Sequence, residues 1–301
     1  MEQIIEIASI EQYCKLFGQR YLHSEVGIIQ NGTPWGALTL KGDFYAVYLR
    51  RTWCGNVRYG CGCHDFTTAT IVFKAPGEVV ELLTDEQLPD VPIAGILFAP
   101  ELLDEALFDD KRKEYTFFDY RENESLHLSK RELQVIVKNM TALTDEMIRE
   151  KDNYTSQLLC EHLALLLDHS LRFYERQFIL RRDQYLQIVS RVRGLIFQYF
   201  RSERTDKTEL ATADYVRDKL PFSGSYLNDL LRTETGMSLS EYIRTIRLEM
   251  MKTDVGYSNK PFSVIADDLG FPSLQALNFS FQKLVGCSPG EYRQAINNKP
   301  N

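Results

Sequence analysis

Two short stretches concentrate side chains that could do chemistry. "WCGNVRYGCGCHDF", residues 53 to 66, brings together Cys54, Cys61, Cys63 and His64. Three thiolates and an imidazole can hold zinc tetrahedrally, and an exposed thiolate of low pKa can sense oxidants. The spacing C-x6-C-x-C-H lacks the paired C-x2-C knuckles of structural zinc sites, and its glycines read equally well as a hairpin turn. "PFSGSYLNDLLRTETG", residues 221 to 236, reads as a turn followed by a helix. Ser223 is a natural N-cap, Leu227, Leu230 and Leu231 form an apolar stripe, and Gly236 ends the run. The outward face carries Asn228 and Asp229. A carboxamide there can bond a base edge, whereas an acid repels phosphate, in a chain of formal net charge -7. That net acidity argues against indiscriminate nucleic-acid binding but says little about any one face.

Neither stretch matches an enzyme signature. There is no nucleophile motif, P-loop or G-x-G-x-x-G fingerprint. His23, His64 and His127 stand apart with no H-x-H, and His162 and His169 fall seven residues apart, a helical packing interval. No enzymatic activity and no cofactor are therefore expected.

The elements that must position these groups change character along the chain. A length of 301 residues suggests two domains, and 44% hydrophobic residues suffice for real cores. Up to about residue 120, Val, Ile, Tyr and Phe come in short runs broken by Gly and Pro, as in "FYAVYLRRTWCG" and "TATIVFKAPGEVVELL". These predict strands, with a short helix at "APELLDEALF". From about residue 127 helical periodicity takes over. "LSKRELQVIVKNMTALTDEMIREK" opens with Ser129 and Glu132 at capping-box spacing. The helix of residues 153 to 178 carries Leu159, Leu163, Leu166, Ser170 and Phe173 at alternating steps of four and three. That stripe is read as the seam of a homodimer, the alternative being packing within one chain. Residues 171 to 204 are locally basic through Arg172, Arg176, Arg181, Arg182, Arg191, Arg193, Arg201 and Arg204, either a solvated face or a set of phosphate contacts. The start, "MEQIIEIASIEQYC", lacks the features of a signal peptide, and the longest apolar run, "LALLL", is too short to span a bilayer. A soluble cytoplasmic protein without a membrane partner is expected.

The last third contains a pair of similar units. "TADYVRDKL" predicts a helix with Ala213, Val216 and Leu220 inward and Thr212 as N-cap. The turn "PFSG" and the helix after Ser223 complete a first unit at about 212–235. "SVIADDLGF" predicts a helix with Ile265, Ala266 and Leu269 inward, capped by Ser263 and ended by Gly270. "PSLQALNFSFQKLVG" adds a helix capped by Ser273, with Leu277, Phe281 and Leu284 on one stripe, and completes a second unit at about 262–285. Between them "SLSEYIRTIRLEMMK" is helical by the spacing of Leu239, Ile243, Ile246 and Met250 and spans roughly 20 Å. Helix, tight turn, helix is the arrangement that lays a second helix in a major groove. Joined in this way, two units could set their reading helices about 34 Å apart, so that both enter successive major grooves.

Residues from about 185 to 296 resemble the DNA-binding domain of the AraC/XylS family of bacterial transcription regulators. The resemblance rests on Ser223, Tyr226, Leu227, "ETG" at 234 to 236, Tyr242, Ile243, Arg247 and Leu248. It continues through Ile265, Ala266, "GF" at 270 and 271, Phe281, Gly286, Pro289 and "EYR" at 291 to 293. The front two-thirds is similar to the cupin-like sensor domain and helical linker often attached in that family, through the order of strands then helices and through "YFRSE".

By position, the family's base-reading side chains fall on Ser225, Asn228, Asp229 and Arg232 in the first unit. In the second they fall on Leu274, Gln275, Asn278, Phe279 and Gln282. Asn and Gln can bond adenine bidentately, and an acid can accept from the amino group of cytosine. The family usually has a basic residue where Asp229 stands and often another where Phe279 stands, so the first reading helix should prefer a different base. Phosphate contacts are assigned to Arg217, Lys219, Arg232, Arg244, Arg247, Lys283 and Arg293, with Arg247 alternatively tying the linker helix to its neighbours.

The resemblance thus implies an α+β multidomain chain. A cupin-like barrel at 1–126 would bind an effector, a helical linker and dimerisation region would span 127–182, and an all-α domain with two helix-turn-helix motifs would span 183–297. The implied function is a small-molecule-responsive transcription activator whose partners are double-stranded DNA, RNA polymerase and a second copy of the chain. Trp35, Tyr45, Tyr48 and Trp53 are the candidate effector pocket, or else simply fill a barrel core. A competing expectation is a metal- or redox-sensing regulator built on the cysteine cluster. A third is a protein-interaction adaptor whose acidic helix-turn-helix has lost DNA affinity.

Overall fold

The computed structural model describes residues 4–30, 38–50, 69–82, 92–106, 112–203 and 206–298. The chain divides into two compact units, Met1–Arg181 and Arg182–Asn301. The first runs β1 (Ile4–Ile7), α1 (Ile10–Leu16), β2 (Val26–Gln30), β3 (Leu38–Gly42), β4 (Tyr45–Arg50), β5 (Ala69–Lys74), β6 (Val79–Leu82), β7 (Pro92–Phe98), α2 (Pro100–Ala106), two short 3-10 turns, β8 (Leu126–Leu128), α3 (Lys130–Ile148) and α4 (Thr155–Leu180).

The described strands form two sheets. One has the order β1-β3-β6, and the other, antiparallel throughout, has the order β2-β7-β4-β5-β8. Strands β4 and β5 are buried at every position, which is why "YAVYLR" and "ATIVFK" show no clean alternation of apolar and polar residues. On one face Ala46, Tyr48 and Val72 join Leu40 and Val80 of the smaller sheet and Ile10, Tyr13 and Phe17 around α1. On the other face Phe73 meets Phe117 and Tyr174, bringing α4 against the larger sheet. Burial pushes the Tyr48 hydroxyl up to about 12, so it stays a neutral member of this core.

That packing corrects the expected dimer seam. Leu159, Leu163, Leu166 and Phe173 are all buried inside the first unit, and the Ser170 hydroxyl donates to the Leu166 carbonyl at 2.9 Å. The stripe faces α3, α2 and β8, whereas Leu158 and Leu165 lie on the outer side. A four-three stripe has the same spacing whether it buries within its own chain or against a second one, and here the chain's own elements, α3 foremost, take it. Leu163→Glu should therefore cost about 3–5 kcal/mol in first-unit stability, as an uncompensated buried charge does, without changing the association state. Thermal melting beside sedimentation checks this, and a fully stable monomeric variant would restore the seam.

The basic stretch is corrected as well. Arg176 makes a two-pronged contact with Glu132 at 3.0 and 2.9 Å and donates to the His127 carbonyl at 2.7 Å, fastening α4 to the capping box of α3. Arg181 is buried. Arg182, Arg193 and Arg201 pair with Glu234, Glu249 and Asp254 inside the second unit. Part of the local positive charge is thus taken up by carboxylates and carbonyls of the fold, while Arg172 and Arg191 are exposed.

The second unit contains α5 (Arg182–Arg201), α6 (Glu209–Asp218), α7 (Gly224–Thr235), α8 (Leu239–Tyr257), α9 (Phe262–Asp268), α10 (Leu274–Val285) and α11 (Pro289–Asn297). Helix α6 starts earlier than its sequence suggested. Thr208 is the N-cap, and Thr212 is buried with its hydroxyl donating to the Thr208 carbonyl at 2.7 Å. Helix α9 begins after Pro261, which leaves Ser263 inside the first turn. Leu284, expected on the inward stripe of α10, is exposed. Helix α8 is 19 residues long, or about 28 Å, and buries Leu239, Ile243, Ile246 and Met250 as the spacing required. Among the described residues no helix is long and apolar enough to cross a membrane.

Candidate nucleic-acid interface and effector cavity

Helices α6 and α7 follow one another across a short turn, as do α9 and α10. In each the second helix is started by a serine, Ser223 or Ser273, whose hydroxyl accepts from an amide three residues on. Each ends at a glycine of positive φ, Gly236 at 73° and Gly286 at 88°, a conformation that a side chain would strain. These local stops fix both helices at twelve residues.

The two outward faces differ. On α10, Leu277 and Phe281 are fully buried, while Leu274, Gln275, Asn278, Phe279, Gln282 and Lys283 are all exposed. On α7, Tyr226, Leu227, Leu230 and Leu231 are buried, Arg232 is exposed, and Ser225 and Asp229 are half-buried. Asn228 is already employed in the fold. Its side-chain carbonyl accepts from the Leu239 amide at 3.0 Å and so caps the start of α8. The base-reading assignment of Asn228 is thereby narrowed, because its oxygen is engaged at the start of α8 and a bidentate contact with adenine would uncap that helix.

The cations assigned to phosphate sort in the same way. Arg293 donates to the carbonyls of Val255 and Lys260 at 2.7 and 3.0 Å, with its guanidinium 4.1 Å from the centre of the Phe262 ring. It holds α11 against the α8–α9 connection. Arg244 makes a bidentate pair with Glu209, linking α8 to α6, and this hydrogen bonding keeps the Glu209 carboxyl below its ordinary range. Arg247 donates to the Gly270 carbonyl at 2.8 Å and stacks 3.9 Å over Phe271, and burial lowers its pKa. Arg247 and Arg293 are structural, whereas Arg244 makes its link from the surface, with its side chain 65% exposed. Arg217, which pairs with Asp214 at 3.1 Å, remains at the surface beside Gly224 at the start of α7, and Lys219 and Lys283 are exposed.

The first unit holds two cavities of interest. One, of about 500 Å³, is lined by Tyr45, Ala75, Leu103, Arg112, Lys113, Tyr115, Thr116, Phe118 and Asp119. Arg112 donates to the Tyr45 hydroxyl at 2.9 Å, and Tyr45 stacks on Phe98. The other, of about 20 Å³, is bordered by Tyr48 and Tyr13 and has room for roughly one water. Tyr45 and Tyr48 thus line different spaces and form no common pocket. Arg112 and Tyr115 escaped sequence reading because nothing in their local pattern marks a cavity wall. Trp35, Trp53 and the cluster Cys54, Cys61, Cys63 and His64 lie outside the described residues. Among the described residues no group of three or more His, Cys, Asp or Glu could hold a metal ion.

Residues 218–295, which contain α7 and α10, match the helix-turn-helix domain family. SoxS, a regulatory protein of Salmonella typhimurium, is 34% identical over 83 residues, covering 28% of this chain and 78% of SoxS. The chain belongs to the AraC/XylS family. YtdP of Bacillus subtilis, an HTH-type transcriptional regulator, is 32% identical over 111 residues, which amount to 37% of this chain but only 14% of YtdP. The C-terminal domain of AraT, a response regulator from Geobacillus stearothermophilus, is 27% identical, covering 36% of this chain and 84% of that one with a TM-score of 0.29. Within this AraC/XylS chain the residues that carry the resemblance are largely internal. Tyr226 bonds Tyr185 hydroxyl to hydroxyl at 2.6 Å, the Glu234 side chain is 4% exposed, and Phe281 is fully buried.

Proposed function

We propose that this AraC/XylS chain is a sequence-specific DNA-binding transcription regulator that reads two successive major grooves with α7 and α10. The observation that carries the reading is the outward face of α10. Gln275, Asn278 and Gln282 are exposed there together, on a helix whose opposite side is a packed core. Residues of that kind on a second helix are what direct readout of adenine requires. Lys219, Arg217 and Lys283 supply phosphate contacts, supplemented by the amide-rich helix starts at Ser223 and Ser273. Selection of duplexes from a randomised pool by the purified chain, followed by a salt titration, tests it. Affinity should fall steeply with salt, and no salt-dependent binding to any duplex would overturn the reading.

The regulator acts as an activator that engages RNA polymerase and responds to a small effector. The cavity of about 500 Å³ beside Tyr45 supports the last part, being within the size range of small-molecule sites. A homodimer through α4 uses its outer side, where Leu158 and Leu165 are exposed.

Asp229 sets the preference of the first unit. Its carboxylate rejects guanine, whose groove edge offers only acceptors, and accepts from cytosine N4. Asp229→Ala should relax preference at one base pair by about 1–3 kcal/mol, while overall affinity rises as a phosphate-repelling charge is lost. Binding to single-base variants of the selected site checks this, and an unchanged preference would reduce Asp229 to a surface acid.

A further inference from the structure

Phe279 is 71% exposed on α10. A lone exposed apolar side chain is ordinary, but the placement of this one is not. It lies on the side of the helix opposite the buried pair Leu277 and Phe281, with Gln275 one turn before it and Lys283 one turn after. The centre of the outward face is thus a phenyl ring, bordered by carboxamides.

The major groove offers such a ring one apolar feature, the C5-methyl group of thymine. Against guanine the ring would cover two acceptors and return no hydrogen bond, which costs free energy. Against thymine it buries a methyl and leaves the partner adenine to a neighbouring carboxamide. We propose that Phe279 is a specificity-determining residue that reads thymine by packing on its C5-methyl, making the half-site under α10 rich in A·T pairs. Gln275, Asn278 and Gln282 take the adenines beside it. The chemistry differs from that of α7, whose face carries Asp229 and Arg232. The proposal rests on the reading of the chain as a DNA-binding regulator and names what one of its two helices recognises.

The experiment uses the full chain and the duplex selected for it. Each thymine in turn is replaced by deoxyuridine, which removes the methyl and keeps every hydrogen-bonding group. Loss of one buried methyl should weaken binding roughly four-fold, at one or two thymines confined to one half-site. Phe279→Ala should bind the thymine and deoxyuridine duplexes equally, and Phe279→Leu should retain part of the difference. Because the ring is outside the core, both variants should melt with the parent chain. If the parent binds its selected duplex but is indifferent to deoxyuridine at every position, the thymine reading is overturned. Full methyl sensitivity in Phe279→Ala would overturn it equally. Failure to bind any duplex would instead overturn the DNA-binding function itself.

Discussion

Replacing Gln275 and Asn278 together by alanine is expected to weaken binding to a selected duplex by about 2–6 kcal/mol, since each good bidentate contact to a base discriminates by about 1–3 kcal/mol. The effect should be confined to binding. Both side chains are exposed on α10, opposite the packed Leu277 and Phe281, so their removal opens no cavity and the melting curve should not move. The salt dependence should also be unchanged, because a carboxamide displaces no counterion. Lys283→Ala, further along the helix, should behave oppositely, lowering affinity for all sequences alike and reducing the salt slope by about one. Titrations of the three proteins across a range of salt separate base reading from phosphate contact. A double variant that loses less than about 1 kcal/mol would show that α10 does not read bases through its carboxamides.

Gly270→Ala should destabilise the second unit by about 2–5 kcal/mol, combining a left-handed backbone position with forced overpacking. Gly270 has φ +66°, and a Cβ there would stand 2.5 Å from the Lys207 Cβ and 2.6 Å from the Lys207 carbonyl oxygen. Backbone cannot yield as a flexible side-chain tip can. The neighbourhood is also a joint: Lys207 donates to the Asp268 carbonyl at 3.0 Å, and Arg247 donates to the carbonyl of Gly270 itself at 2.8 Å. Forcing the turn open therefore loosens the end of α9, the stretch before α6 and the middle of α8 together. Hydrogen exchange of α8 and α9 amides measures the loss. Gly194→Ala is the control: it sits on α5 with open space where its Cβ would go, and should stabilise by about 0.5–1 kcal/mol. Equal effects at the two positions would refute the tight turn at Gly270.

What the sequence by itself determined lies within a few residues of each feature. Ser223 and Ser273 start their helices and Gly236 and Gly286 stop them, because a cap depends on one hydroxyl, one amide three positions on, and one backbone angle. The inward stripes of α6, α8 and α10 were legible for the same reason, Leu284 excepted, since periodicity states which side is buried. The motif of the family was legible because it marks internal joints such as Tyr226 on Tyr185 and Arg247 on Phe271.

Periodicity does not state against what a side is buried, and that was decided by the tertiary structure. The Leu159, Leu163 and Leu166 stripe had a free choice between a second chain and its own until α3, α2 and β8 of the same unit took up that helix. Charged and amide groups were still less determined, because their partners lie far off in the chain. Arg244 finds Glu209 35 positions away, Arg293 finds the Val255 carbonyl 38 positions away, and Asn228 finds the Leu239 amide 11 positions away. A long polar side chain reaches whatever the fold brings within about 3 Å, and only the folded chain separates the arginines that hold α8 and α11 in place from the lysines whose charge stays at the surface, where phosphate can meet it.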